Sequence, residues 1–315
     1  MGVLWSAMMT VTGLTLKNPT VLAAGILGTT GASLLRVARG GAGAVVTKSI
    51  GCAPNAGHPN PSMVETECGF LNAMGLPNPG YRNYREELSV VRGGRGAGGV
   101  GGTGTAEVPV IASVFGADAR EFSDVASGLS DLADAIELNL SCPHADRYGA
   151  SIGIDPALVL EITSAVKDVA PVPVWVKLTP NVTDITEIGL AAEEGGADAV
   201  VAINTVRAMA IDIESGVPIL GNQFGGLSGA AIKPIAVKSV YDLYGALDIP
   251  IIGVGGISCW QDAIEMILAG ACAVQIGSAV HNGISVFRDV ADGIAEYCHA
   301  HGCTVDELCG IAHQR

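Results

Sequence analysis

Eight short apolar runs recur along the chain, at residues 21–24, 44–48, 108–114, 135–140, 174–178, 199–203, 250–254 and 273–276. Most show no alternation of polar and apolar positions, as expected of strands covered on both faces. Between them lie stretches with helical periodicity, among them 156–170, 184–195 and 260–269. Strands alternating with helices indicate a parallel sheet. Eight such units within about 250 residues predict a single domain over 1–315, a closed (β/α)8 TIM barrel of the α/β class with insertions at its C-terminal face. A doubly wound sheet is the alternative, but no G-x-G-x-x-G opens a helix after the first strand.

A barrel of this kind places its chemistry where the strands end. Those ends read Ala24-Gly25, Lys48-Ser49, Ser113, Asn139 with Cys142, Lys177, Asn204-Thr205, Gly255-Gly256 and Gly277-Ser278. Lysines and asparagines at the ends of apolar strands cost free energy unless they face a ligand or a polar partner. Three insertions interrupt the pattern. Residues 50–84 contain FLNAMGLPNPG and predict a lid or pocket wall. Residues 93–104, GGRGAGGVGGTG, lack the G-K-[ST] ending of a phosphate loop and predict a flexible linker. Residues 206–229 predict a hairpin, 210–214 with 217–220, around Ser215-Gly216.

Composition narrows the function. Charged residues make up only 15% of the chain, so part of its surface is expected to be covered by another subunit. A formal charge of −14 argues against nucleic acid as a partner. No run has the character of a membrane span, and the start does not resemble a signal peptide. Eight cysteines without any C-x-x-C fit a reducing, cytoplasmic setting. The cluster Cys298, His299, His301, Cys303, Cys309 and His313 fits no zinc or iron–sulfur spacing, and no metal site is expected.

The chemistry-bearing residues are few. GVGGI (253–257) and QIGSA (275–279) end the last two strands, the usual phosphate position in this fold, and Ser228-Gly229 offers a further donor. Lys48 and Lys177 would project into the barrel mouth, where a cation stabilises negative charge on a reduced flavin or a carboxylate. In AIELNLSCPHADRYG (135–149), Ile136, Leu138 and Leu140 alternate with Glu137, Asn139 and Ser141, and Pro143 then ends the ladder. Cys142 therefore stands at a strand end, as nucleophile, proton-transfer base, ligand or packing.

Six motifs then occur in order: LNAMGLPNPG (71–80), ELNLSCP (137–143), VKLTPNVTDI (176–185), INT (203–205), GGLSGAAIKP (225–234), and GGI (255–257) with QIGSA. With them the chain resembles class 1 dihydroorotate dehydrogenases from about residue 10 to 290. Cysteine at 142 is similar to class 1, since the membrane-linked class 2 uses serine there. NVTDI and INT resemble the B-type, the NAD-linked catalytic subunit.

The resemblance implies an FMN-dependent oxidoreductase of pyrimidine biosynthesis that oxidises dihydroorotate to orotate. It implies FMN held by Ala24, Gly25, Lys48, Ser49, Ser113, Asn139, Lys177 and Ile203, with its phosphate on Gly229, Gly255, Gly256, Gly277 and Ser278. It implies dihydroorotate held by Lys48, Asn72, Ala73, Met74, Gly75, Leu76, Asn139, His144, Asn204 and Thr205. Cys142 would be the base at C5 while hydride leaves C6. An ordinary thiol, with a pKa of about 8.5, is only slightly ionised at neutral pH, so activity is expected to rise toward alkaline pH unless nearby charge such as Lys48 lowers that pKa. The B-type resemblance implies a homodimer joined by an electron-transfer subunit that carries FAD and an iron–sulfur cluster and passes electrons to NAD.

This sequence departs from the family at three of these positions. His144 replaces an asparagine, Ala24 a serine common in relatives, and Ser113 an asparagine found in some. The competing readings are a fumarate-linked A-type enzyme, a related pyrimidine-reducing flavoenzyme, a flavin-free phosphate-binding lyase or isomerase, and an inactive scaffold subunit. Intact Cys142, Lys48 and Lys177 argue against the last.

Overall fold

A computed structural model of the chain describes residues 8–96, 108–140 and 152–314. The apolar runs form eight parallel strands: β1 (Thr20–Leu22), β2 (Ala44–Val46), β3 (Val110–Val114), β4 (Ala135–Asn139), β5 (Val174–Leu178), β6 (Ala199–Ala202), β7 (Ile251–Val254) and β8 (Ala271–Ile276). Each pairs with the next in sequence, and β8 pairs with β1, which closes the barrel. The strand bounds differ from the expectation by a few residues at most. β2, for instance, ends at Val46, because the Lys48 amide turns to the Gly28 carbonyl at 3.0 Å.

Helices α1 (Gly31–Arg39), α2 (Tyr81–Gly96), α3 (Ala119–Leu129), α4 (Pro156–Val169), α5 (Ile185–Glu194), α6 (Lys233–Ala246), α7 (Trp260–Ala269) and α8 (Val286–His301) lie between and after the strands. Several begin on residues suited to satisfy free amides. Asp118, Asp155 and Asp184 accept from the first turns of α3, α4 and α5, and Pro156 opens α4 where its missing N–H costs nothing. The helices cover the outward faces of the strands. Inward faces make a separate apolar cluster that includes Val21, Ala44, Val46, Ile111, Ala135, Trp175, Val201 and Ile252. A hairpin, Met9–Val11 with Leu14–Leu16, plugs the N-terminal end. Val11 and Leu16 join that cluster, and Trp175 Nε1 donates to Thr12 Oγ1 at 2.9 Å.

Two insertions meet above the opposite end. Met63–Thr66 and Gly69–Asn72 from the first pair with Gly225–Ser228 and Val206–Ala208 from the second in one antiparallel four-stranded sheet. That shared sheet was not legible in the sequence. The expected hairpin is present but shorter, with Ile211–Asp212 against Val217–Pro218. The Gly-rich stretch is not wholly linker: α2 continues through Gly96. Glycine weakens a helix interior by only about 1 kcal/mol, and packing of Tyr84, Leu88 and Val91 in the core outweighs that. Residues 97–104 lie outside the described residues.

In the C-terminal segment His301 stacks on Tyr297 and His313 on Tyr241, with ring centroids 4.0 and 3.8 Å apart. No group of three or more His, Cys, Asp or Glu among the described residues is arranged to hold a metal. No helix among them is long and apolar enough to cross a membrane.

Leu16 is fully buried where the plug meets the barrel interior. Leu16→Ala is expected to lower unfolding free energy by about 2–5 kcal/mol, measured as a drop in the urea midpoint; an unchanged midpoint would show that the plug adds nothing to stability.

Candidate active site

A cavity of about 580 Å3 occupies the C-terminal mouth of the barrel, beneath the four-stranded sheet. Its floor comes from inward positions at the strand ends, where apolar packing gives way to polar side chains. Asn139 is the hub of one network. Its Nδ2 donates to Ser49 Oγ at 3.1 Å, and its Oδ1 accepts from Asn204 Nδ2 at 3.2 Å. Ser49 Oγ is in turn 3.0 Å from Ser113 Oγ. Asn204 Oδ1 accepts from the Thr205 amide, which fixes the turn after β6.

A second network lies across the floor. Lys177 Nζ donates to Gln275 Oε1 at 2.9 Å and faces Glu137 Oε1 at 3.6 Å. Gln275 Nε2 donates to Glu137 Oε2 at 2.5 Å. Lys48, also buried, donates to the Gly25 carbonyl at 3.1 Å. Burial pushes the Lys48 pKa below the ordinary lysine value, so an anion in the cavity would strengthen its charged form.

The wall opposite is built by the insertions. Asn72 and Gly226 are register partners, and Asn72 Nδ2 donates to the Gly226 carbonyl at 3.2 Å. No side chain fits at 226, since a Cβ there would lie 2.0 Å from Thr205 Oγ1. Asn181 braces Thr205 from behind: its Nδ2 donates to the Thr205 carbonyl and its Oδ1 accepts from the Arg207 amide.

Most of the residues expected at the site line this cavity: Ala24, Gly25, Lys48, Ser49, Asn139, Lys177, Ile203, Gly229, Gly255, Gly256, Gly277 and Ser278, with Asn72, Met74, Leu76, Asn204 and Thr205. Three do not. Ser113 is fully buried behind Ser49, Ala73 packs with Leu71 and Leu220, and Gly75 sits in the bend beside His58 with φ +69°. Cys142 and His144 lie outside the described residues. Sequence reasoning assigned no site role to Phe70, Gln275 or His281, which line the cavity, or to Glu137 and Asn181, which support it. Glu137 and Gln275 did carry a signal, because each is a polar residue within an otherwise apolar strand.

The family model for dihydroorotate dehydrogenase matches residues 6–298. The chain belongs to the dihydroorotate dehydrogenase family. It is 62% identical to a protein of Methanosarcina mazei named dihydroorotate dehydrogenase B (NAD(+)), catalytic subunit, over 98% of this chain and 95% of that one. A protein of the same name from Pyrococcus abyssi is 52% identical over 95% of this chain and 97% of its own length. Among solved structures, a DHODH from Eimeria tenella in complex with ferulenol superposes with a TM-score of 0.83 at 23% identity, covering 98% of this chain and 89% of that one, a likeness of fold.

In this dihydroorotate dehydrogenase chain the glycine turn after β7 is clamped from behind. Gly256 has φ +71°, and a Cβ there would lie 2.6 Å from Lys233 Cβ. Asp262, in the first turn of α7, accepts from the Ser258 amide and hydroxyl at 2.9 Å and from Lys233 Nζ at 2.8 Å. Burial works against its charge, but the bonds from Lys233 and Ser258 prevail and hold its carboxyl down at about 2. The folded value lies below the unfolded one of about 3.9, so the stabilisation is present above that pH and lost as pH falls toward 2. Asp262→Asn is expected to lose roughly 2 kcal/mol at neutral pH. The gap from the parent should close between about pH 4 and 2 in denaturant titrations; a gap independent of pH would refute the clamp's charge.

Proposed function

We propose that this chain oxidises (S)-dihydroorotate to orotate with FMN bound in the barrel-mouth cavity, its electrons passing to NAD through a partner subunit. The observation that carries the reading is the convergence on one cavity of glycine turns from two strand ends, two buried lysines and a cluster of amide side chains. The residues present fit FMN. Gly229, Gly255 and Gly256 have positive φ, and their missing side chains leave backbone for a phosphate to approach beside Gly277 and Ser278. Ala24, Ile203 and Val254 supply apolar surface for a planar ring. The cavity volume falls within the usual few hundred Å3 of cofactor sites.

When bound, FMN supplies the acceptor for the hydride that leaves C6 of the substrate. The protein's own groups do the rest. Lys177 and Ser49 hold the ring, and Lys177 stabilises negative charge on it. Lys48 offers a cation to the substrate carboxylate, at a position where burial leaves it without full solvation. Asn72, Asn139, Asn204 and Thr205 offer donors and acceptors for the substrate's ring amides; the last three are fixed beforehand by hydrogen bonds to one another, and Asn72 by its bond to the Gly226 carbonyl. Cys142, as thiolate, takes the C5 proton; this assignment rests on the motif ELNLSCP. His144 follows in the same stretch, where relatives carry an asparagine that touches the substrate. The B-type likeness supports FAD and an iron–sulfur cluster on the partner and a homodimer of this chain as the core of the assembly.

Anaerobic mixing of the FMN-loaded chain with dihydroorotate is expected to bleach the flavin absorbance. Cys142→Ala and Cys142→Ser should slow that bleaching by about two or more orders of magnitude. The parent's rate should rise with pH as the thiol ionises. A yellow protein that never bleaches would exclude this substrate, and a chain that cannot bind FMN would exclude the flavin. NAD added to the reduced chain alone should leave it reduced, whereas rapid reoxidation by fumarate would replace the partner-linked reading with the A-type one.

A further inference from the structure

Below the cavity three polar side chains are buried together, although the surrounding inward positions are apolar. Glu137 and Gln275 are fully buried and Lys177 is 5% exposed. Lys177 and Gln275 line the cavity; Glu137 does not and stands behind them. A buried carboxylate carries a large desolvation cost that is offset only by charge pairing and good hydrogen bonds. Here both are present, but unevenly. Glu137 Oε2 accepts from Gln275, whereas Oε1 accepts no hydrogen bond from the described residues and only faces the Lys177 ammonium at 3.6 Å. The Gln275 amide has one orientation that suits both neighbours, its oxygen toward Lys177 and its nitrogen toward Glu137.

We propose that Glu137 and Gln275 are positioning residues for Lys177: Glu137, directly and through Gln275, anchors the ammonium at the cavity floor and offsets part of its charge, which sets how strongly the site favours a negatively charged, reduced flavin. This rests on the FMN reading above. A lone ammonium beside the ring would stabilise the anionic reduced form. A carboxylate at contact distance opposes that stabilisation, and because the pair is buried, solvent screens it only weakly. Removing the carboxylate charge therefore raises the flavin potential, while loosening the bridge weakens binding. Simple packing makes the opposite demand on substitutions. Glutamine preserves the shape of Glu137 and removes its charge; aspartate preserves the charge and changes the shape.

The full chain is loaded with FMN, its potential measured by anaerobic reductive titration against reference dyes, and its FMN dissociation constant by fluorescence titration. Glu137→Gln is expected to favour reduced FMN ten- to a hundredfold over the parent, about 30–60 mV for a two-electron couple. Glu137→Asp should stay within a few-fold of the parent. Gln275→Leu, apolar between Val274 and Ile276, should raise the dissociation constant about tenfold. A parent-like potential in Glu137→Gln, or a larger shift in Glu137→Asp than in Glu137→Gln, would overturn the inference. Should Glu137→Gln fail to fold, Gln275→Leu decides, and parent-like FMN affinity there would overturn it equally. A parent chain that binds no FMN would remove the flavin reading and this one together; a parent that binds FMN while the variants match it would remove this one alone.

Discussion

Closure of eight parallel strands imposes a parity that everything else in the molecule obeys. Alternate residues of each strand must point into the barrel, and every strand must deliver its C-terminal end to the same rim. Along β4 the inward sequence is Ala135, Glu137, Asn139; along β5 it is Trp175, Lys177; along β8 it is Ala273, Gln275. The lower positions are apolar and meet the N-terminal plug through Val11 and Leu16. The upper positions are polar and make the cavity floor. One strand thus serves stability at its start and chemistry at its end, and a slip of one residue would turn both sets outward against the helices.

Polar groups placed this deep must find partners, and the choice of partner determines what they can do. Asn139, Ser49, Ser113 and Asn204 satisfy one another, which leaves them oriented without a ligand. Glu137, Gln275 and Lys177 pair with one another, with Glu137 Oε1 only facing the Lys177 ammonium. Lys48 is the contrasting case. It donates to a backbone carbonyl, and burial alone lowers its pKa. Of the two lysines, one is electrostatically compensated and the other is left to respond to whatever anion enters.

Much of this was legible in the residues. The eight runs were readable because parallel strands are apolar on both faces, and the lysines and asparagines at their ends stood out against that background. The glycine turns at 255–256 and 277–278 could be placed at the cavity because this fold brings the ends of its last two strands to the site. The shared sheet of the two insertions could not be read, since pairing of Gly69–Asn72 with Gly225–Ser228 joins segments over 150 residues apart through short, partly polar strands. Nor could the helical continuation into Gly93–Gly96, where tertiary packing of α2 overrides glycine's local preference. Ser113, expected to hold FMN, does not line the cavity for a simpler reason. It is inward-pointing like its neighbours, but Ser49 stands between it and the open space.

The barrel also explains why the residues behind the site are so often helix caps. In a βα unit the functional loop runs from the end of a strand to the first turn of the following helix, so anchoring the loop and capping the helix are one task. Asp262 shows this directly, because it satisfies amides at the start of α7 and, through the same carboxylate, fixes Ser258 just beyond the Gly255-Gly256 turn. Asp118, Asp155 and Asp184 cap their helices on the same face. Helix N-termini directed at this rim favour negative charge. Side-chain carboxylates meet that preference at the outer ends of the loops, while glycine backbone beside the cavity leaves it available to a bound phosphate. The acidic excess of the chain therefore does not preclude an anionic ligand at this rim, because Asp118, Asp155, Asp184 and Asp262 sit at helix N-termini while the two lysines line the cavity.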